Sequence, residues 1–258
     1  MSRKAILVVS FGTSHEDSRK KTIEAIEQKI AEEFKEYKIY RAFTSKMIIK
    51  KLAKSGLHIM TVEEALKQMK ADGVKELIVQ PTHVINGIEN DEMMEDIKAV
   101  TGEFDSVVIG RPLLNDTKDY KRLAEAVVED NPLAEDEILM LMGHGTTHYS
   151  NSAYPALEYV FKEMGYANIL VGTVEGYPSF EEAMKQLEKT NKKKVTLLPL
   201  MIVAGDHANN DMAGEEDSWK SRLEQEGYQV VCRIKGLGEL DKVQEQFIEH
   251  IRAAKSIV

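Results

Sequence analysis

An internal repeat limits the possible folds more than any other feature of this chain. The segment Thr61-Val62-Glu63-Glu64-Ala65-Leu66-Lys67-Gln68-Met69 returns as Ser179-Phe180-Glu181-Glu182-Ala183-Met184-Lys185-Gln186-Leu187. At the same offset Pro81 meets Pro199 and Gly87 meets Gly205. Two ordinary amphipathic helices often look alike, but here the likeness persists through a proline and a glycine in the same order. Earlier in each copy, Phe11-Gly12-Thr13-Ser14-His15 matches His144-Gly145-Thr146-Thr147-His148 at a larger offset. The change of offset places a net insertion in the first copy, around residues 48–57. Self-similarity over more than half of a 258-residue chain predicts two like units.

Within each copy, short strand-like runs alternate with amphipathic helices. Ala5–Val9, Tyr37–Ala42, Glu76–Gln80 and Ser106–Ile109 form the first set of strands. Glu137–Met142, Ile169–Thr173, Val195–Leu200 and Gln229–Cys232 form the second. Several are continuous β-branched and aliphatic runs, the pattern of parallel strands covered on both faces. The predicted class is therefore α/β: two similar halves, each a four-stranded parallel sheet flanked by helices and related by a pseudo-twofold. The boundary is expected at 130/131, giving halves 1–130 and 131–258, with the last helix, Asp241–Ala253, free to pack on either.

Composition removes several classes of function. Net charge is −9, and the basic runs Lys20-Lys21, Lys50-Lys51 and Lys192–Lys194 are short, so no nucleic-acid partner is expected. No apolar run approaches the roughly 20 residues that span a bilayer. The run after Met1-Ser2-Arg3-Lys4 is too short for a secretory leader, which predicts a cytoplasmic protein with no membrane partner. One cysteine, Cys232, excludes an intrachain disulfide and is expected to be buried and inert. Walker and Gly-X-Gly-X-X-Gly loops are absent, which argues against nucleotides. Oligomeric state, including a homo-oligomer, is left open.

Open parallel sheets bind ligands beyond the carboxyl ends of their strands. In the second half, three successive strands each end in a loop bearing a ligand-type side chain: His144, Glu175 and His207. Two imidazoles and a carboxylate suit zinc, iron, cobalt or nickel. Taken singly, each has an ordinary reading. Glu175 is also a candidate cap for the helix near Ser179, and His207 a loop histidine bonded to Asp206. In the first half the same edge carries Ser10-Phe11-Gly12-Thr13, then Thr44 and Ser45 near Arg41, then His83 and Glu89. Hydroxyls and backbone N–H groups before a helix suit carboxylates, while a capped turn explains them equally well. Phe11 stands where the repeat has His144, and Glu89 where it has His207. Glu89 is either an acid–base group or a surface carboxylate. Facing edges would leave a cleft suited to a flat ligand. His15 and His148 read as cap or packing residues, His58 and His250 have no partners in the sequence, Asp116-Thr117 and Asn209-Asn210-Asp211 read as helix caps, and the methionines as core filler.

These residues resemble the class II chelatases, most closely the anaerobic-pathway sirohydrochlorin cobaltochelatases. The marks are Val8–Ser14, Arg41-Ala42-Phe43-Thr44-Ser45, Ile85-Asn86-Gly87 leading to Glu89, Met142-Gly143-His144-Gly145, Val174–Pro178, Val203–Met212 and Asp217–Lys220. The resemblance spans nearly the whole chain, and the run around His207 is its most specific part. It implies two flavodoxin-like halves and ligation of metal by His144, Glu175 and His207. It further implies insertion of Co2+, as substrate metal, into sirohydrochlorin or precorrin-2 with loss of two protons. His144 and Glu89 would then be catalytic. Ser10, Phe11, Gly12, Thr13, Arg41, Thr44, Ser45 and His83 would hold the tetrapyrrole. No organic cofactor is expected. Iron or nickel insertion on the same fold, and a non-catalytic tetrapyrrole or metal carrier, are the alternatives.

Overall fold

The computed structural model describes residues 3–256. Met1 and Ser2, which entered the leader reading, lie outside the described residues. The chain begins β1 (Lys4–Ser10), α1 (Glu16–Arg19), a π turn at Lys20–Glu24, α2 (Ala25–Glu33), β2 (Lys38–Phe43) and α3 (Lys46–Lys54). It continues with α4 (Val62–Ala71), β3 (Glu76–Pro81), α5 (Ile88–Val100) and β4 (Ser106–Ile109). Next come α6 (Thr117–Asp130), β5 (Glu137–Gly143), α7 (Ala153–Glu163), β6 (Ile169–Thr173) and α8 (Phe180–Glu188). Then follow β7 (Lys194–Leu200), α9 (Trp219–Gln225), β8 (Gln229–Cys232), α10 (Asp241–Arg252) and β9 (Lys255–Ser256).

Both sheets share one strand order. The first runs β2-β1-β3-β4-β9 and the second β6-β5-β7-β8. Strands β1–β4 and β5–β8 pair in parallel throughout. The order 2-1-3-4 is that of flavodoxin-like sheets, with the switch point between the first and third strands. The strands form because their residues are apolar on both faces. Ile6, Leu7, Val8 and Val9 in β1, and Ile138 to Met142 in β5, are all fully buried. Truncating one such leucine to alanine costs about 2–5 kcal/mol. Capping boxes start α4 at Thr61/Glu64 and α8 at Ser179/Glu182, the same chemistry at both copies of the repeat. The insertion in the first copy is α3, which has no counterpart between β6 and α8.

The chain divides into two compact units, one running up to Asn115 and resuming at Asp241, the other spanning Asp116–Leu240. This differs from a cut at 130/131 at both ends. Helix α6 joins the second unit, where it packs on α7 and Lys121 pairs with Glu163 at 3.4 Å. Lys235 and Arg233 of that unit tie back to Asp130 and Asn131 at 2.6 and 2.7 Å. Helix α10 belongs to the first unit. Its Val243 and Phe247 are fully buried, Gln246 donates to the Leu113 carbonyl at 2.8 Å, and His250 donates from Nδ1 to the Arg111 carbonyl at 2.9 Å. The chain then adds β9 antiparallel to β4, so the first sheet has five strands rather than the four expected. Two residues with no apolar pattern gave no strand signal. Their pairing depends on where α10 delivers them.

Among the described residues no helix is long and apolar enough to cross a membrane. Cys232 is half-buried rather than fully enclosed, and burial pushes its thiol above the ordinary range.

Candidate metal centre

The register of β5 and β6 delivers the first two side chains of the centre. Pairing runs from Leu139↔Ile169 to Gly143↔Thr173. It continues past the strands: Val174 N–H donates to the Gly143 carbonyl at 3.0 Å and Glu175 N–H to the His144 carbonyl at 2.8 Å. His144 and Glu175 are thus neighbours because the ladder is extended by two more hydrogen bonds. The two loops touch backbone to backbone. Gly145 has φ +83°, and a Cβ there would lie 2.4 Å from Gly176 N. Only glycine combines that dihedral with that approach. Asn151 closes the loops from the side, accepting from Thr146 N–H at 3.0 Å and donating to the Tyr177 carbonyl.

His207 arrives from the third strand of the ladder, β7, which pairs with β5 as far as Gly143↔Leu200. The chain leaves β7 through residues 201–205 and enters a helical turn at Asp206. Asn209 N–H donates to the Gly205 carbonyl at 3.1 Å, and the segment Ala208–Met212 is a π turn.

Ligand-type atoms of His144, Glu175 and His207 all lie within 4.8 Å of one another. The two imidazoles meet edge to face, with centroids 4.7 Å apart and planes at 88°. Bonds of about 2.0–2.2 Å to one ion set donors roughly 3.3–3.6 Å apart in tetrahedral geometry. The trio therefore stands open by no more than about 1.5 Å, which side-chain rotation closes. Glu175 is exposed and both histidines half-buried, so the place is accessible. Three protein donors leave coordination positions for another ligand. His144 Nδ1 lies 2.9 Å from the Gly145 carbonyl. A carbonyl only accepts, so Nδ1 carries a proton, and in the neutral imidazole the lone pair is on Nε2. His207 Nδ1 lies 2.7 Å from Asp211 Oδ2, which leaves its Nε2 in the same state.

The family model for cobalt chelatase (CbiK) matches residues 4–256. The chain belongs to that family. Within it, the chain is 37% identical to the sirohydrochlorin cobaltochelatase of Salmonella typhimurium, over 98% of this chain and 96% of that protein. It is 31% identical to the sirohydrochlorin cobaltochelatase CbiKC of Nitratidesulfovibrio vulgaris, over 99% and 92%. Among solved structures, SirB from Bacillus subtilis with Fe3+ shares the fold at TM-score 0.65 and 16% identity, covering 96% of this chain and 94% of that one. CbiX, described as the terminal enzyme of siroheme biosynthesis in denitrifying bacteria, does so at 0.58 and 19%, covering 98% and 100%.

The first unit of this cobalt chelatase family member carries the other residues singled out in the sequence. Many are committed to the protein's own structure. Ser10 is buried and accepts from the Thr82 hydroxyl at 2.8 Å. Thr13 is buried and its Oγ1 accepts from His15 N–H at 3.1 Å. Ser45 caps α3, accepting from Ile48 N–H. His83 is buried with Nε2 3.4 Å from Thr44 Oγ1, and desolvation holds its imidazole down at about 4. Arg41 makes a bidentate pair with Glu27 and reaches Glu24 Oε1 at 3.3 Å. Its guanidinium is thus already paired with two carboxylates of its own unit. Phe11 is 42% exposed, Gly12 has φ +103°, and half-buried Glu89 sits in the first turn of α5.

Asp211 was missed in the sequence, where Asn209-Asn210-Asp211 read as a cap and Asp206 as the partner of His207. The residues form the π turn instead, and Asp211 is the residue bonded to His207 Nδ1. An i, i+4 spacing of histidine and aspartate was the available signal.

Proposed function

We propose that this chain inserts cobalt(II) into sirohydrochlorin, with release of the two pyrrole protons. The observation that carries the reading is the convergence of His144, Glu175 and His207 to within 4.8 Å. The two cobaltochelatase relatives, alike along nearly their full length, support the choice of metal and macrocycle. In this reading the three side chains receive the ion. Oxygen from exposed Glu175 and nitrogen from the two imidazoles hold it without enclosing it, so pyrrole nitrogens can replace them one by one. Donor type alone does not select cobalt over iron or nickel, because affinities follow a general first-row order. His144, whose Nε2 carries the lone pair, accepts one proton as the ion departs; imidazole is suited to this near neutral pH. Glu89 is the candidate acceptor for the second proton. Phe11 offers an aromatic face to the ring, and backbone N–H groups of the Phe11–Thr13 loop are candidates for its carboxylates.

The test is direct. Purified protein, sirohydrochlorin and cobalt(II) are mixed without oxygen and the tetrapyrrole absorption is followed. Insertion well above the protein-free rate, faster with cobalt(II) than with iron(II) or nickel(II), is expected. Tight binding of the ring with no acceleration would sink the reading and leave a carrier.

A further inference from the structure

We propose that Asp211 is a positioning residue of the metal centre, holding His207 in the tautomer and orientation that aim Nε2 at the ion. This rests on the reading of His144, Glu175 and His207 as the place where the metal is received. The carboxylate oxygen Oδ2 stands 2.7 Å from His207 Nδ1. A carboxylate oxygen accepts from Nδ1, so in the neutral imidazole the ring proton sits on Nδ1 and the lone pair on Nε2. A histidine that ligates metal through one nitrogen is commonly fixed through the other in this way.

The local backbone is shaped around the pair. His207 immediately precedes the π turn Ala208–Met212, and Asp211 lies within it. In the first unit the matching helix, α5, is regular, and the repeat puts Met93 where the second unit has Asp211. Met93 is fully enclosed in the core, whereas the Asp211 side chain is 45% exposed. The second unit thus departs from the shared pattern at the one helix start that bears a ligand. Gly214 permits the departure. Its N–H donates to the Asn210 carbonyl at 3.1 Å, and a Cβ there would lie 2.4 Å from that oxygen. The two imidazoles are also held differently. His144 donates to a neutral carbonyl and His207 to an anion. Glu175 and Asp211 together bring two negative charges to a divalent ion, one as ligand and one behind a ligand.

Cobalt(II) alone, titrated into the 258-residue chain and followed by its visible absorption and by calorimetry, tests the proposal. Asp211→Ala is expected to weaken cobalt binding by about 10–100-fold. Asp211→Asn, which keeps an acceptor oxygen, is expected to recover most of that loss. Nitrogen-15 NMR of the metal-free protein should show His207 protonated at Nδ1 in the wild type and mixed tautomers in Asp211→Ala. That readout does not follow from a merely structural role, and thermal midpoints of the variants monitor the fold. If His207→Ala binds cobalt as the wild type does, the reading of the metal centre itself fails. If His207→Ala loses binding while Asp211→Ala keeps it, or if Asp211→Asn is no better than Asp211→Ala, the positioning proposal alone is overturned.

Discussion

The loops at the carboxyl edges of the two sheets are built alike and carry opposite chemistry. In the first unit Thr44 and Ser45 N–H groups donate to the Ser10 and Phe11 carbonyls at 2.9 and 3.2 Å. In the second, Val174 and Glu175 donate to Gly143 and His144 in the same pattern. Thr13 and Thr146 each accept from the backbone N–H two residues on, both at 3.1 Å. Gly12 and Gly145 both have positive φ. On this common frame the first unit places Phe11, Ser45 and Glu89, and the second His144, Glu175 and His207. Two side-chain choices on one backbone, and a third at a helix start where the backbones diverge, thus separate an edge with an aromatic ring and a carboxylate from an edge with three ligand-type side chains. The fold supplies the convergence and leaves the chemistry to the residues.

Four measurements would break or sharpen that contrast, and the largest effect belongs to the second unit. His144→Ala should lower kcat for cobalt insertion by about 10²–10⁴-fold, the range for loss of a general base, while the unfolding midpoint stays near that of the wild type. A rate within a few-fold of wild type would mean that the imidazole at this edge does not distinguish the two units chemically.

The next effect belongs to the first unit and concerns stability. The repeat gives the place of His83 to half-buried Met201 in the second unit. Burial lowers the His83 pKa to about 4, below the unfolded value of about 6.5. The unfolded chain therefore binds the extra proton first as pH falls. The resulting stability is complete above about pH 6.5 and is lost on the way down through pH 4. Its size is about 3 kcal/mol at 1.36 kcal/mol per unit. His83→Met, which copies the second unit, should flatten that part of the pH dependence in urea unfolding; an unchanged slope would place the acid sensitivity elsewhere.

Glu89→Gln should reduce kcat by about tenfold to a hundredfold and leave cobalt affinity unchanged. Unchanged turnover would make Glu89 a surface carboxylate, and the first edge a binding surface without proton chemistry. The smallest effect is expected for Arg41→Met. Removing the partner of Glu27 should destabilise the protein by about 1–2 kcal/mol with KM for the tetrapyrrole unaltered. A large rise in KM would make Arg41 a carboxylate anchor as well as a structural partner of Glu27.

Much of this protein can be read along the chain. Strand and helix order follows from period and composition, because fully covered strands must be apolar on both faces and helices amphipathic. The duplication follows from self-similarity, and His144, Glu175 and His207 from the rule that parallel sheets gather their loops at one edge. Other features exist only once the chain is folded. The fifth strand depends on α10 returning to the first sheet, a pairing that residues 255–256 do not advertise. The pairing of Arg41 with Glu27 has no signal along the chain and exists because packing sets their charges together. Asp211 becomes the partner of His207 only where the chain turns helical beyond β7, in a segment that read as a cap along the sequence. Propensity and pattern are properties of neighbouring residues. Charge pairing, buried hydrogen bonds and the direction of a ligand are distances between groups far apart in the chain, and those are set when the layers pack.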